Sequence, residues 1–195
     1  MKNSVGGAVG ITSVKRRYYV GARRAVGLGA LYLCAALLAG CATAPAPGFR
    51  DAGVPITATT RFTPVAFSGR WHVIEAYPSA LFPGCAGQTW EAATAEAPAR
   101  LTVRCGAAVA LDVPLAVNPR GVLQAGSSDL NRADRALWVM WMDEDARTAV
   151  IGTPGGEMGW IVNRTPDLRG DRLAAAREIM DFNGYNLAAL PRGAQ

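Results

Sequence analysis

Residues 159–166 read Gly-Trp-Ile-Val-Asn-Arg-Thr-Pro, a short apolar run that begins at a glycine and ends at a proline. Seven runs of similar length precede it, and glycine, proline or polar residues separate each run from the next. The eight candidate strands cover residues 69–77, 87–93, 100–105, 108–117, 121–125, 136–142, 148–152 and 159–164. Short apolar runs at hairpin spacing are typical of antiparallel sandwiches and barrels. The sequence therefore predicts an all-β domain built as an eight-stranded, up-and-down antiparallel barrel.

One helix is predicted after the last strand. Asp171 is a favourable N-cap, and residues 172–182 are rich in helix formers and carry one apolar stripe. The strand at 136–142 is apolar on both faces, so its outer face needs a cover. We expect the C-terminal helix to provide that cover. Residues 185–190 are predicted to form a short strand that lies back on the sheet.

Three patches of the sequence resemble the bacterial lipocalins, in their outer-membrane lipoprotein branch. Phe-Ser-Gly-Arg-Trp at 67–71 is similar to the Gly-x-Trp motif that opens the first lipocalin strand. Residues 138–143 and 149–154 resemble the strand–turn–strand unit before the last barrel strand. Trp-Ile-Val-Asn-Arg-Thr-Pro at 160–166 is close to the Trp-Ile-Leu-Ser-Arg-Thr-Pro of bacterial members. The resemblance covers residues 65–195 and implies a lipocalin-type barrel with one C-terminal α-helix.

The resemblance also implies that the barrel is closed at one end and open at the other. Gly69, Trp71 and Arg164 would close the base, with the Arg164 guanidinium lying across the Trp71 ring, where a cation is well placed over an indole. The chain departs from the family pattern at His72 and shows no clear match over residues 94–135. The identity of the ligand is therefore not carried over from relatives.

The alternation of side chains along the strands predicts which residues line the interior. If Trp71 points inward, a period of two also turns every second residue after it inward. The predicted lining of the calyx is Val73, Glu75, Tyr77, Leu101, Val103, Trp138 and Met140. Two alternatives stay open: the apolar residues form a packed core without a cavity, or a bulge turns Glu75 to solvent.

The N-terminal residues have the layout of an export signal. Arg23 and Arg24 precede a 15-residue apolar run, which is too short for a membrane-spanning helix and is typical of a signal peptide. The run ends in Leu-Ala-Gly-Cys, which resembles the bacterial lipobox. We therefore expect residues 1–40 to be removed and Cys41 to carry lipid; an ordinary cleavage site or a short membrane anchor is the alternative.

This resemblance places the protein in the bacterial cell envelope. The residue after Cys41 is Ala42, and the absence of an aspartate there indicates an outer-membrane lipoprotein that faces the periplasm. Residues 41–64 are rich in alanine, threonine and proline and are predicted to form an extended tether. The folded domain is predicted over residues 65–195.

The four cysteines predict one disulfide. Cys34 lies in the signal and Cys41 is the predicted lipid attachment site, so Cys85 and Cys105 form an even pair in an oxidising compartment. A hairpin turn near residue 95 would place the two opposite each other, and in a lipocalin the bridge would lie at the open end. Two buried free thiols are the alternative.

Charge and motifs exclude several other functions. Six of the 20 basic residues and none of the 15 acidic ones lie in residues 1–40, so the rest of the chain has a net charge of −1. Because that part carries no excess of positive charge, we expect no nucleic-acid-binding groove in it. The single histidine, His72, argues against a metal site, and no catalytic or phosphate-binding motif is present. We expect no enzymatic activity, no cofactor and no metal.

Two functional hypotheses remain. The first is a lipid-anchored lipocalin that binds a small hydrophobic ligand, such as a fatty acid or a lysophospholipid, for lipid transport, storage or membrane maintenance. The second is a small β-barrel lipoprotein that acts through its surface, as a periplasmic protease inhibitor or an assembly adaptor. The sequence does not determine the oligomeric state.

Overall fold

The computed structural model describes residues 48–127 and 131–191, and within them it forms a closed antiparallel barrel. Each strand pairs with the next along the chain, and the eighth pairs with the first. The strands are β1 (Gly69–Ala76), β2 (Gln88–Ala93), β3 (Arg100–Cys105), β4 (Ala108–Asn118), β5 (Val122–Ala125), β6 (Leu137–Met142), β7 (Thr148–Gly152) and β8 (Gly159–Asn163). The predicted eight-stranded, up-and-down barrel is confirmed.

A short helix and three aromatic rings close one end of the barrel. Helix α1 (Pro64–Phe67) begins after Thr63, whose side chain caps it by accepting a hydrogen bond from the Ala66 amide. The ring of Phe67 lies 5.7 Å from that of Phe62 and 5.2 Å from that of Trp71, measured between centroids. All three side chains are buried, so this end of the interior is filled by protein.

Helix α2 (Gly170–Phe182) lies against the outer face of β6, β7 and β8. The predicted helix and its covering position are therefore confirmed. The predicted cap is wrong, because Asp171 lies inside the first turn and the N-cap is Arg169, which makes no side-chain capping bond. The Asp171 carboxylate instead pairs with Arg169 and accepts a hydrogen bond from the Arg172 amide.

The segment after α2 differs from its prediction. A 3₁₀ helix spans Leu187–Ala189 where a strand was expected, and only Tyr185 forms a β-bridge, with Arg50. The Tyr185 hydroxyl is buried, accepts from the Thr153 amide and donates to the Met158 carbonyl. This side chain therefore holds the segment against the β7–β8 connection, and no ladder is needed.

The described part of the predicted tether is packed on the barrel. Arg50 is 8% exposed and donates hydrogen bonds to the carbonyls of Asn183 at 2.7 Å and Pro154 at 2.8 Å. Phe62 is buried in the core. The expectation of an extended tether is therefore wrong at Arg50 and Phe62, whose side chains are buried against the barrel domain. Residues 1–47, with the predicted signal and Cys41, lie outside the described residues.

None of the helices in residues 48–127 and 131–191 is long and apolar enough to cross a membrane. Within the same residues, no group of three or more His, Cys, Asp or Glu is placed to hold a metal ion.

Candidate functional site

The barrel encloses one large apolar cluster. Its side chains come from all eight strands and from the closed end, and aromatic residues contribute much of its volume. The buried members are Phe62, Phe67, Trp71, Trp90, Ala92, Leu101, Val103, Val113, Leu115, Leu123, Ala125, Leu137, Val139, Met142, Ala149, Ile151, Met158, Trp160 and Val162. Val73 and Val117 are partly buried against it. This interior surface is the candidate binding site.

Three of the predicted lining residues face this interior. Leu101 and Val103 are buried in the interior cluster, and Val73 packs against it. Along β3, burial alternates as a period of two requires, with Leu101 and Val103 inward and Thr102 half-buried. The sequence analysis missed Trp90, which pairs with Val103 across the β2–β3 ladder. A signal was available in the sequence, because Trp90 stands between the polar residues Thr89 and Glu91.

A bulge in β1 turns two predicted lining residues outward. Val73 pairs with Val162 and Glu75 pairs with Ile161, so Ile74 is an extra residue on the first strand. The extra residue reverses the alternation, because two consecutive side chains then lie on the same face. Glu75 and Tyr77 therefore point away from the interior, and their predicted place in the calyx is wrong.

The outward Glu75 faces helix α2 and is not exposed to solvent. Its carboxylate receives two hydrogen bonds from the Arg177 guanidinium, one of them from Nε at 2.9 Å. The Glu75 side chain is 1% exposed, while that of Arg177 is 30% exposed. The pKa of Arg177 is raised by this hydrogen bond. The bulge thus removes a charge from the barrel interior and uses it to hold the helix.

Strand β6 also contains a bulge. Val139 pairs with Ile151 and Trp141 pairs with Val150, so Met140 is the extra residue. Trp138 and Met140 lie on the outer face because they alternate with the inward Leu137 and Val139, so their predicted place in the calyx is also wrong. The bulge turns Trp141 outward and Met142 inward. The inward residues of this strand are Leu137, Val139 and Met142.

Together with α2, the outward residues form a second apolar cluster between the barrel wall and the helix. Its buried members are Tyr77, Met140, Val150, Ile161, Ala176, Met180, Tyr185 and Leu190. Trp138 is partly buried against it and also lines an outer groove of about 720 Å³. Burial raises the pKa of both Tyr77 and Tyr185. These side chains are part of the wall and its cover, and they do not reach the interior.

At the closed end, Arg164 lies across Trp71. Its guanidinium carbon is 3.6 Å from the centroid of the Trp71 ring, as the lipocalin resemblance implied. The same guanidinium donates to the carbonyls of Ala66, Arg70 and Ala146, and the Trp71 indole donates to the Phe67 carbonyl at 2.8 Å. Burial lowers the pKa of Arg164, which is still charged at neutral pH.

Gly69 leaves room for this contact. Its φ of +99° is unfavourable for residues with a side chain, and an added Cβ would lie 3.3 Å from Nη1 of Arg164. The three residues predicted to close the base are therefore together at that end.

The end of the barrel away from Trp71 carries the predicted disulfide, Cys85–Cys105. The predicted register is wrong by three residues, because Gln88 pairs with Cys105 and Cys85 lies in the loop before β2. Beside the disulfide, β1 and β2 separate: they pair from Gly69 with Ala92 to His72 with Thr89 and no further. A cavity of about 150 Å³ lies in this gap, lined by Val73, Ile74, Glu75, Ala76, Cys85, Ala86, Gly87, Gln88 and Pro191.

Two buried donors of β2 have no hydrogen-bond partner within the part of the chain that the structure describes. They are Nε2 of Gln88 and Nε1 of Trp90. Gln88 is 7% exposed and Trp90 is 1% exposed. Both lie on the inward face of β2, so the otherwise apolar interior contains two unused donors. Trp90 lies opposite Trp71 in the β1–β2 ladder, and Gln88 lies two residues further from the closed end.

Comparisons with known proteins agree with this architecture. Residues 65–195 match the family model described as a lipocalin-like domain. Among solved structures, the chain is similar to insecticyanin from the tobacco hornworm Manduca sexta, with a TM-score of 0.56 and 13% sequence identity. That match covers 77% of this chain and 88% of the insecticyanin chain, and at this identity it shows the fold alone. No curated protein matches the chain.

Proposed function

This chain belongs to the lipocalin-like domain family, and on that premise we propose that its barrel binds a small hydrophobic ligand of the single-chain lipid class. The observation that carries the proposal is the closed barrel with an almost wholly apolar inner surface, sealed at one end by Trp71 and Arg164. Eight strands enclose just enough space for side chains or one small ligand. Lipocalins are in general binding and transport proteins, and no catalysis is proposed for this chain.

The ligand that we propose for this interior is a fatty acid or a lysophospholipid-like molecule. The acyl chain would lie against Val73, Leu101 and Val103, and against Trp90, which the sequence analysis missed. Each buried methylene contributes about 0.8 kcal/mol, so a chain of about 16 carbons can supply micromolar binding after an association cost of about 4 kcal/mol. The proposed role is transport, storage or maintenance of membrane lipids.

The proposal includes a lipid anchor on Cys41. The basic flank, the apolar run and the lipobox-like Leu-Ala-Gly-Cys support cleavage before Cys41 and acylation of its thiol. Several acyl chains on one residue hold a protein firmly on a membrane. An outer-membrane anchor facing the periplasm would keep the barrel close to a supply of lipid.

The binding proposal is tested with the full-length chain carrying Cys41→Ser, so that no acyl group is attached. An amphipathic polymer keeps the protein in solution, because free detergent would compete for an acyl site. We expect saturable displacement of diphenylhexatriene, a fluorescent hydrocarbon probe, by lauroyl lysophosphatidylcholine below its micelle concentration. Val103→Trp should abolish binding of both the probe and the lysolipid. Val103 is 1% exposed, and the indole ring of the larger side chain would fill the interior.

The matched control is Val109→Trp, because Val109 is a solvent-facing valine in the same hairpin and is 53% exposed. It should bind like the wild type. Circular dichroism checks that both variants are folded. If the wild type binds neither the probe nor the lipid, the binding proposal fails and the surface-acting barrel, as an inhibitor or adaptor, becomes the better hypothesis.

The anchor is tested by the intact mass of the protein isolated from its native membrane. The expected mass is that of residues 41–195 plus acyl groups. A protein that retains residues 1–40, or that starts at another residue without lipid, would contradict the proposal.

A further inference from the structure

The inward face of β2 carries an unusual pair of polar groups. Gln88 and Trp90 are two residues apart on one strand face, which places their Cα atoms about 7 Å apart. The Trp90 ring packs edge-on against Trp160, with 5.0 Å between centroids, so the indole is held in a fixed orientation. Neither Nε2 of Gln88 nor Nε1 of Trp90 meets an acceptor in the described residues. A buried donor without an acceptor costs free energy, so a ligand that supplies acceptors would relieve this cost.

The pair lies next to an opening in the wall. Beyond the pair His72–Thr89, β1 stays paired with β8, and β2 stays paired with β3. The strands β1 and β2 no longer pair with each other there. Gln88 lines the cavity in this gap together with Val73, which packs against the interior cluster. A ligand with its chain in the barrel can therefore have a polar group at Gln88, in the gap between β1 and β2.

The charge of the site decides which polar group fits. Within the described residues the two buried charged side chains are Arg50 and Glu75, and both are satisfied outside the interior, by carbonyl oxygens and by Arg177. The inner face thus offers two neutral donors and no cation. An ionised carboxylate would be buried there without a counter-ion, which is expensive, whereas a neutral carbonyl oxygen accepts both donors at no such cost.

We propose that Gln88 and Trp90 form a polar subsite that binds the neutral ester carbonyl of a monoacyl lipid. The acyl chain continues into the interior, and the charged head group stays outside the gap between β1 and β2. This inference rests on the proposed acyl-binding function and deepens it, because it selects an acyl ester over a free fatty acid.

The test compares two lipids that differ only in the carbonyl. Lauroyl lysophosphatidylcholine has an ester, and its 1-O-dodecyl analogue has an ether in the same place. We expect the wild-type full-length Cys41→Ser protein to bind the ester about tenfold more tightly, which is the size of one or two net hydrogen bonds. Gln88→Leu and Trp90→Phe remove one donor each, and each should reduce this ratio towards one. Trp90→Phe also removes contact with the acyl chain, so it should weaken the ether lipid as well, and the ratio of the two affinities is the readout.

A matched control and a spectroscopic readout separate recognition from damage to the barrel. Thr89→Val changes the intervening residue of β2, which belongs to the opposite strand face, and should leave the ratio unchanged. The infrared band of a ¹³C-labelled ester carbonyl should shift to lower frequency on binding to the wild type. The shift should shrink in both donor variants.

Each failure points to a different conclusion. If the wild type binds neither lipid, the proposed function fails. If it binds both equally, or if the two donor variants keep the tenfold ratio, acyl binding stands and the carbonyl subsite is wrong. Tighter binding of laurate, ionised at pH 8, than of the ester would also overturn the subsite, because the site would then select a carboxylate.

Discussion

The two walls of the barrel differ in what lies outside them. Every residue of β7 and β8 is buried, whereas along the eleven residues of β4 only Val113 and Leu115 are. Helix α2 covers the outer face of β6, β7 and β8, and solvent covers the outer face of β4. We call β6, β7 and β8, together with residues 74–77 at the end of β1, which meet the same helix, the covered wall. The strands β2 to β5 are the bare wall. An outward side chain in the covered wall is core, while one in the bare wall is surface.

The largest expected difference between the walls comes from removing one outward apolar side chain from each. Ile161 lies on the outer face of β8 and is fully buried in the cluster under α2, while Val109 is 53% exposed on β4. Ile161→Ala should lower the free energy of unfolding by about 2–5 kcal/mol, and Val109→Ala should change it by less than about 0.5 kcal/mol. Urea denaturation measures both. Equal losses would mean that the helix does not protect the wall.

The same difference explains which parts of the site could be predicted from the sequence. In the bare wall, one strand face is apolar and the other is polar, so the alternation of Leu101 and Val103 with polar residues gives their direction correctly. In the covered wall both faces are apolar, as at Trp138 and Met140, and the pattern carries no information on direction. The number of strands was predictable because turns punctuate both walls in the same way.

The bulges at Ile74 and Met140 could not be predicted from apolar periodicity. Each adds one residue to a strand that borders or belongs to the covered wall, and each moves the side chains after it to the other face. Glu75 was the available signal, because a carboxylate inside an apolar barrel without a partner is costly. Its partner, Arg177, lies 102 residues away on α2, so the ion pair depends on tertiary structure.

The closed end tests whether one residue holds the end of the covered wall to β1 and helix α1. Arg164 follows β8 of the covered wall, lies on Trp71 of β1, and donates to the carbonyls of Ala66 and Ala146. Arg164→Ala should lower the free energy of unfolding by roughly 2–4 kcal/mol, because the cation–π contact and the donors are lost together. Arg164→Lys keeps the charge but loses the planar fork, and should recover only part of this loss in urea denaturation. A loss within about 0.5 kcal/mol for Arg164→Ala would show that the end is closed by packing alone.

The loss of stability on breaking an ion pair should also differ between the two walls. Arg177→Ala leaves the Glu75 carboxylate buried and unpaired under α2, and we expect a loss of about 2 kcal/mol in the free energy of unfolding. Replacing both residues, Glu75→Leu with Arg177→Leu, should recover most of it, because the buried charge is gone. In the bare wall, Arg100→Ala breaks an exposed pair with Asp112 and should have an effect too small to shift the urea midpoint. Equal effects of the two arginine substitutions would contradict the distinction.

The smallest expected effect is a dependence on alkaline pH that the covered wall alone should show. Burial raises the pKa of Tyr77 above its ordinary value near 10, and neighbouring Tyr185 and Glu75 add to the shift. Below pH 10 the phenol is neutral in both the folded and the unfolded chain and stability does not depend on it. Above pH 10 the unfolded chain loses this proton and the folded chain keeps it, so stability falls by about 1.4 kcal/mol per pH unit for each such tyrosine.

Tyr77→Phe should therefore make the alkaline decline shallower without removing it, because the pKa of Tyr185 is raised as well. At pH 8 the variant should be about 1 kcal/mol less stable than the wild type, since the Tyr77 hydroxyl donates to the Asn186 carbonyl at 3.1 Å. The two stability curves should then meet near pH 11. Urea midpoints measured from pH 8 to pH 11 give both curves. The control is Ile161→Ala, which removes no titrating group, so its stability curve should lie below that of the wild type and parallel to it. If the Tyr77→Phe curve is also parallel to the wild-type curve, Tyr77 ionises as readily in the folded protein as in the unfolded chain.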